Sequence, residues 1–317
     1  MLQISEKGKK IPASPIRKLV PYADRAKERG IKVYHLNIGQ PDIATPEVAL
    51  KAVRQMKLPV IEYTASAGNH TLRTKLAGYY QKLGISLTEE DILITTGGSE
   101  AILFAFMSTL NEGDEIIIPE PFYANYTAFA LMVGAKIKTV TAKIEDNFAL
   151  PPMSEFEKQI TPKTKGIVIV NPNNPTGQLV EPQLLKKIIK LCCDKNIFLV
   201  TDECFMEFIP DWEKYTIKAI ASKNNKIIVI DAFTKTYSLA GFRLGFCISG
   251  NSKLLSDMKL YGQDFAVSTP AQLAGICALL DCSYMQNTYS LISEERKYLL
   301  SELQKLPVKV YPSYGNF

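Results

Sequence analysis

Two residues in this chain are of a type and in a setting to do chemistry together. Lys235 lies in Asp231-Ala-Phe-Thr-Lys-Thr-Tyr-Ser-Leu-Ala-Gly-Phe-Arg243, and Asp202 lies in Leu199-Val-Thr-Asp-Glu203. Lys235 follows the apolar run Ile227-Ile-Val-Ile230, which predicts an amine beside the end of a buried strand. Burying an ammonium is unfavourable unless it is paired or neutralised, and a lysine of lowered pKa is a nucleophilic amine. Schiff-base formation with an aldehyde cofactor, pyridoxal phosphate, is the chemistry such an amine suits. A carboxylate such as Asp202 would keep that cofactor's pyridine nitrogen protonated, so that the ring accepts electrons.

A phosphate needs donors and a cation. Gly97-Gly98-Ser99-Glu100 opens a helical pattern directly after Ile92-Leu-Ile-Thr95. Free amides at a helix start bind phosphate, and glycine lets the backbone come close. Arg243, eight residues beyond Lys235, offers the planar fork that matches phosphate oxygens.

The elements that must hold these groups are short apolar runs alternating with helical patterns. Strands are predicted at Ile92–Thr95, Glu115–Ile118, Gly166–Val170, Ile197–Val200, Ile227–Ile230 and Leu244–Ile248, with helices at Glu100–Leu110 and Pro182–Asp194. Continuous apolar strands between helices indicate an α/β fold with a mostly parallel sheet covered on both faces. Ligands of such sheets sit beyond the carboxyl ends of the strands. Gly98, Asn171 to Gly177, Asp202 and Lys235 all fall at those ends. Pro12, Pro15 and Pro21 interrupt an N-terminal arm before a helix through Arg29. A last helix is expected over Tyr289–Lys305, then a strand at Val308–Tyr311.

Asn171-Pro-Asn-Asn-Pro-Thr-Gly177, Thr234-Lys235 with Arg243, and Leu36-Asn-Ile-Gly-Gln-Pro-Asp42 together resemble the class I/II aminotransferases, fold type I of the pyridoxal-phosphate enzymes. The likeness runs through to the C-terminus. It implies a largely seven-stranded sheet, amino-group transfer from an L-amino acid to a 2-oxo acid, and a homodimer with shared active sites. It implies that Lys235 moves a proton between substrate Cα and the cofactor's C4′. It places Asn174 on the cofactor's 3′ oxygen, the Ser99 and Glu100 amides with Gly98, Thr234 and Arg243 around the phosphate, and Tyr123 on the ring face. Tyr63 would reach the phosphate of the neighbouring subunit, and Gly39, with Asn174, would lie beside the substrate carboxylate. Domains are expected at residues 1–38 (arm and part of a small domain), 39–280 (cofactor binding) and 281–317 (the start of an incomplete small domain).

Three positions depart from the family pattern. Phe205 stands where a tyrosine usually shares the 3′ oxygen, as in the threonine-phosphate decarboxylase branch, which Asp202-Glu-Cys-Phe-Met-Glu-Phe208 resembles along with the Lys235 segment. Ala232 replaces a common phosphate-binding hydroxyl. The arginine that clamps the substrate carboxylate in relatives would lie beyond Phe317. Alternative readings are therefore a decarboxylase of an O-phosphorylated amino acid and a truncated, non-catalytic cofactor binder.

Bulk properties exclude other classes. With 46% hydrophobic and 22% charged residues the chain is an ordinary globular one. A net charge of +5 with scattered lysines argues against nucleic-acid binding. No apolar stretch approaches the roughly 18 residues that span a bilayer. Six cysteines without metal spacing read as reduced thiols, and a cytoplasmic location is expected. His35 and His70 are the only histidines and neither sits in a ligand cluster, so no metal site is expected.

Overall fold

The computed structural model of the protein describes all residues except 1, 2, 13, 15, 263 and 317; Pro15 of the expected arm lies outside the described residues. Seven strands form one sheet: β1 (Ile92–Thr95), β2 (Glu115–Glu120), β3 (Lys136–Thr141), β4 (Thr164–Val170), β5 (Phe198–Asp202), β6 (Ile227–Ala232) and β7 (Gly245–Ile248). Their order is β1-β7-β6-β5-β4-β2-β3. Only β7 runs against its neighbours, pairing antiparallel with β1 and β6; the other ladders are parallel. The α/β, mostly parallel fold is as expected.

Each face of the sheet carries its own core, which is why the inner strands are apolar throughout. On one face Leu199, Ile227 and Val229 pack with Leu72, Leu76 and Tyr80 of helix His70–Lys82 and with Leu185 and Ile188 of helix Pro182–Lys195. On the other, Val200, Ile228 and Ile230 pack with Ala101, Ala105 and Phe106 of helix Gly97–Thr109 and Tyr126 of helix Asn125–Val133. Fully burying one such aliphatic side chain contributes about 1.5–3 kcal/mol.

Three expectations about elements need correction. The strand β3 was not anticipated: Lys136-Ile-Lys-Thr-Val-Thr141 alternates polar and apolar residues because it is the sheet's edge, with only Val140 buried. The segment Val308–Tyr311 is not a strand. Among the described residues no strand pairs with it; the chain beyond it docks instead on the loop after β4, where Tyr314 N–H donates to the Gly177 carbonyl at 2.7 Å and Gln178 Nε2 to that of Pro312 at 2.8 Å. The last helix, Cys282–Leu303, also starts a full two turns earlier than its apolar pattern suggested.

Candidate active site

The carboxyl ends of β1, β5 and β6 lie along the same edge of the sheet, and each delivers a different kind of group. From β1 the chain turns through Thr96 into helix Gly97–Thr109. Gly97 has φ +77°, a conformation that a side chain strains, and a Cβ there would sit 2.7 Å from Arg243 Nη2. From behind, Gly245 of β7 comes so close that its own Cβ would lie 2.5 Å from the Gly97 carbonyl carbon. The loop is thus pressed between β7 and a guanidinium. Its helix-start amides are the orphan donors that favour an anion. The Glu100 carboxylate is not part of that cradle: Oε2 accepts from the Thr96 amide at 2.6 Å and so fixes the turn. Arg243 is exposed and itself left-handed, with φ 54°, a strained backbone of the kind that collects at functional sites.

Asp202 ends β5 and is buried. Burial pushes its carboxyl up; the Cys204 amide, donating to Oδ1 at 3.1 Å, and the Tyr126 hydroxyl, donating to Oδ2 at 2.9 Å, pull it back. Lys235 sits with half-buried Thr234 in the single helical turn Phe233–Thr236 after β6. Its amine donates to the Gly39 carbonyl and lies 5.6 Å from the centroid of the Phe205 ring. Burial lowers the Lys235 pKa; Cys204 and Asp202 oppose that, and Arg243 adds to it. An amine whose pKa burial lowers and a buried carboxylate therefore share one field.

Tyr123 borders the same space. Its hydroxyl accepts from Asn125 Nδ2 at 2.7 Å, and burial, then the Asp202 charge, raises its pKa while Arg243 lowers it. The Asn171–Gly177 loop is tied to β5 by Asn171 N–H donating to the Asp202 carbonyl at 2.8 Å. Within it Asn173, not Asn174, braces the turn by accepting from the Thr176 amide and hydroxyl at 3.1 and 2.8 Å. Asn174 is half-buried and makes no hydrogen bond among the described residues. Ser99 is half-buried at the helix start, and the Gly98 position is bounded by Cys204 Sγ and, at 4.0 Å from a Cβ built there, by Ala232 Cβ. The missing hydroxyl at residue 232 therefore borders the glycine turn. Tyr63 stands apart from this group: its side chain is 84% exposed and stacks on Phe265 with centroids 5.0 Å apart.

Two contributors escaped the sequence. Tyr126 reads as one more aromatic at helical spacing, yet its hydroxyl holds Asp202. Behind the sheet lies a fully buried ion cluster, with Lys218 Nζ 2.9 Å from Glu203 Oε2 and 2.8 Å from Asp231 Oδ2. The one available signal was two acids, Glu203 and Asp231, placed where apolar strands end.

The family profile for class I and II aminotransferases matches residues 31–317. The chain belongs to that family, and it is an enzyme of amino-group transfer. It is 30% identical to an aspartate aminotransferase of Thermotoga maritima, over 99% of this chain and 83% of that one. It is 34% identical to an aspartate aminotransferase of Pyrococcus horikoshii, over 99% and 81%. Among solved structures, an aspartate aminotransferase from Thermus thermophilus with maleate superposes with TM-score 0.91 at 25% identity, over 100% and 84% of the two chains. An alanine aminotransferase from Pyrococcus furiosus gives 0.89 at 28%, over 99% and 83%. The decarboxylase reading is not favoured by these relatives.

Among the described residues no helix is long and apolar enough to cross a membrane, and no group of three or more His, Cys, Asp or Glu is placed to hold a metal. All six cysteines are free thiols.

Proposed function

We propose that this transaminase works with pyridoxal 5′-phosphate in the cleft at the ends of β1, β5 and β6, within a cofactor domain of residues 39–280, and passes the amino group of an L-amino acid to a 2-oxo acid. The residues present fit that group. Its phosphate matches the helix-start amides of Ser99 and Glu100, the Gly97–Gly98 turn and the Arg243 fork. Its ring nitrogen matches the buried Asp202 carboxylate, its ring face Tyr123, and its 3′ oxygen Asn174. When bound, it supplies an aldehyde for covalent attachment and an electron-poor ring.

Lys235 anchors the cofactor through its amine, which burial already biases toward the neutral, nucleophilic form. With the cofactor bound and substrate in place of Lys235, the freed amine would take the proton from the substrate's Cα and return it at the cofactor's C4′, a general acid–base role. Asp202 would face the ring nitrogen; burial raises its pKa, and the donors on its oxygens oppose that rise and favour the carboxylate. Phe205, buried beside Lys235, adds an apolar wall where relatives place a hydroxyl. Gly39 lets the chain approach the amine: a Cβ there would stand 3.0 Å from Lys235 Nζ.

The observation that carries the reading is the half-buried Lys235 amine, its pKa lowered by burial, within the electrostatic reach of buried Asp202. Pyridoxal phosphate added to wild type and to Lys235→Ala tests it. Wild type develops a visible absorption band that amino acids bleach, with one 2-oxo acid formed per site; Lys235→Ala gives no such band. A band in the variant, or carbon dioxide released in place of the oxo acid, overturns the reading.

The same proposal includes a homodimer. Leu36 (95% exposed), Tyr63 and Leu260 (80%) leave large apolar surface uncovered in one subunit, which suits a partner. Tyr63 would then reach the neighbour's phosphate; sedimentation of wild type and the phosphate affinity of Tyr63→Phe test this. The free thiols fit a reducing compartment, and we place the enzyme in the cytoplasm.

A further inference from the structure

The ion cluster behind the sheet takes no part in the chemistry above, yet its two acids are the chain neighbours of the two groups that do. Glu203 follows Asp202, and Asp231, in β6, lies four residues before Lys235. Successive residues at a strand end point to opposite faces. Asp202 therefore meets Tyr126 on one side of the sheet, while Glu203 meets Lys218 on the other. The ends of β5 and β6 are joined by backbone, Glu203 N–H donating to the Ile230 carbonyl at 2.8 Å, and they are joined again by the Lys218 ammonium.

We propose that Lys218 is a positioning residue for amino-group transfer: by bridging Glu203 and Asp231 it fixes the spacing of the two strand ends that carry Asp202 and Lys235. The inference rests on the roles proposed for those two residues. Both must meet opposite ends of one small aromatic ring, so their separation is set by the separation of β5 and β6 where the ladder stops. Lys218 is fully buried and is enclosed on the sides that carry no acid, its Nζ lying 5.3 Å from the Tyr80 ring centroid and 5.4 Å from that of Trp212. Its acids are held in turn. Glu203 accepts from the Ile217 amide at 3.0 Å and from the Thr216 hydroxyl. Asp231 Oδ1 accepts from the Ala232 amide at 2.7 Å, at the entrance to the turn bearing Lys235. A buried pair of this kind is weak as a source of stability, because desolvation offsets the attraction, but it is specific in geometry. Glu203 also bears on Asp202 directly, since its negative charge raises the Asp202 pKa and Lys218 offsets that charge.

Lys218→Met, loaded with cofactor, tests the proposal. The expected result is a kcat lower by about tenfold or more with KM within roughly threefold, the signature of an interaction that matters after binding. The pH midpoint of the cofactor's visible band moves as well, because Asp202 no longer sits at the same distance and potential. If kcat and that midpoint both stay at wild-type values while only the melting temperature drops, the cluster is structural and the proposal fails. Should Lys218→Met not fold, Glu203→Gln is read in the same way: it is isosteric, leaves Lys218 paired with Asp231, and removes the bridge to β5. Lys235→Ala separates the two levels of the argument. Loss of the band there with an unchanged Lys218→Met sinks the positioning role alone, whereas a band retained in Lys235→Ala sinks the site itself.

Discussion

The Tyr126 hydroxyl donates to Asp202 Oδ2 at 2.9 Å, and both side chains are buried. Helix Asn125–Val133, on one face of the sheet, thereby holds the acid that ends its central strand. Burial drives the Asp202 carboxyl up, and the Cys204 thiol and amide and this hydroxyl oppose that rise. Tyr126→Phe removes one of them without leaving an unpaired donor. A hydrogen bond to a charged group contributes about 1.5–3 kcal/mol, which corresponds to a tenfold or larger loss in kcat/KM. Because the carboxyl pKa rises further in the variant, the acid limb of the pH profile should shift to higher pH. An unshifted limb would remove Tyr126 from the mechanism.

Lys235 is expected to cost the cofactor-free protein stability. Its folded pKa lies below the ordinary 10.5, so near pH 7 the folded state carries a charge that burial penalises and the unfolded state does not. Lys235→Met should raise the melting temperature of the cofactor-free protein at pH 7. The gain should vanish as pH passes about 10.5, where the unfolded lysine also loses its proton. Transamination should fall by at least the 10²–10⁴-fold, roughly, that a proton-transfer group supplies. A lower melting temperature in the variant would contradict the burial argument.

Glu207 makes the cluster behind the sheet sensitive to pH. It accepts from the Tyr79 and Tyr80 hydroxyls at 3.2 and 3.1 Å, and burial, then the charge on Asp231, pushes its carboxyl up to about 7, with Lys218 and the two tyrosines opposing. A carboxyl raised above its unfolded value of 4.5 contributes stability that is complete below pH 4.5 and is lost as pH rises through 7. Glu207→Gln abolishes that loss. The melting temperature of the variant relative to wild type should therefore climb by about 2–4 °C between pH 5 and 8, the scale of a change near 1 kcal/mol in a domain of this order of size. A difference that is flat with pH would mean that Glu207 does not titrate there.

What the sequence disclosed and what it hid follow from how each residue carries its information. The placement of Lys235, Asp202 and the Gly97–Gly98 turn at strand ends was legible because an apolar run that stops at a charge or a glycine pair marks where a strand ends. Lys218 was hidden because a lysine's burial depends on acids 13 and 15 residues away in sequence (Asp231 and Glu203), which only the packing of β5 on β6 brings together. Tyr126 was hidden because helical spacing reports the face a side chain takes and says nothing of where its hydroxyl ends. The edge strand β3 was missed because its solvent side carries Lys136 and Lys138, so no continuous apolar run marks it. The supposed strand at Val308–Tyr311 failed for the converse reason, an apolar pattern with no neighbouring strand to pair with.

Phe205 offers the last test, because it is the departure that bears most directly on the cofactor's electronics. It is buried, and its ring centroid lies 5.6 Å from the Lys235 amine, so it borders the proposed site. In the proposed site, a tyrosine hydroxyl at this position would donate to the cofactor's 3′ oxygen. A donor there stabilises the anionic oxygen and so eases loss of the neighbouring proton. Phe205→Tyr should lower the pH midpoint of the visible band by about one unit, the equivalent of one modest hydrogen bond. Because the change adds a single oxygen to an already buried ring, the cost in stability should stay below the about 1–3 kcal/mol typical of overpacking. Spectrophotometric titration of the two proteins side by side decides it: a midpoint that does not move would show that residue 205 lies out of reach of that oxygen.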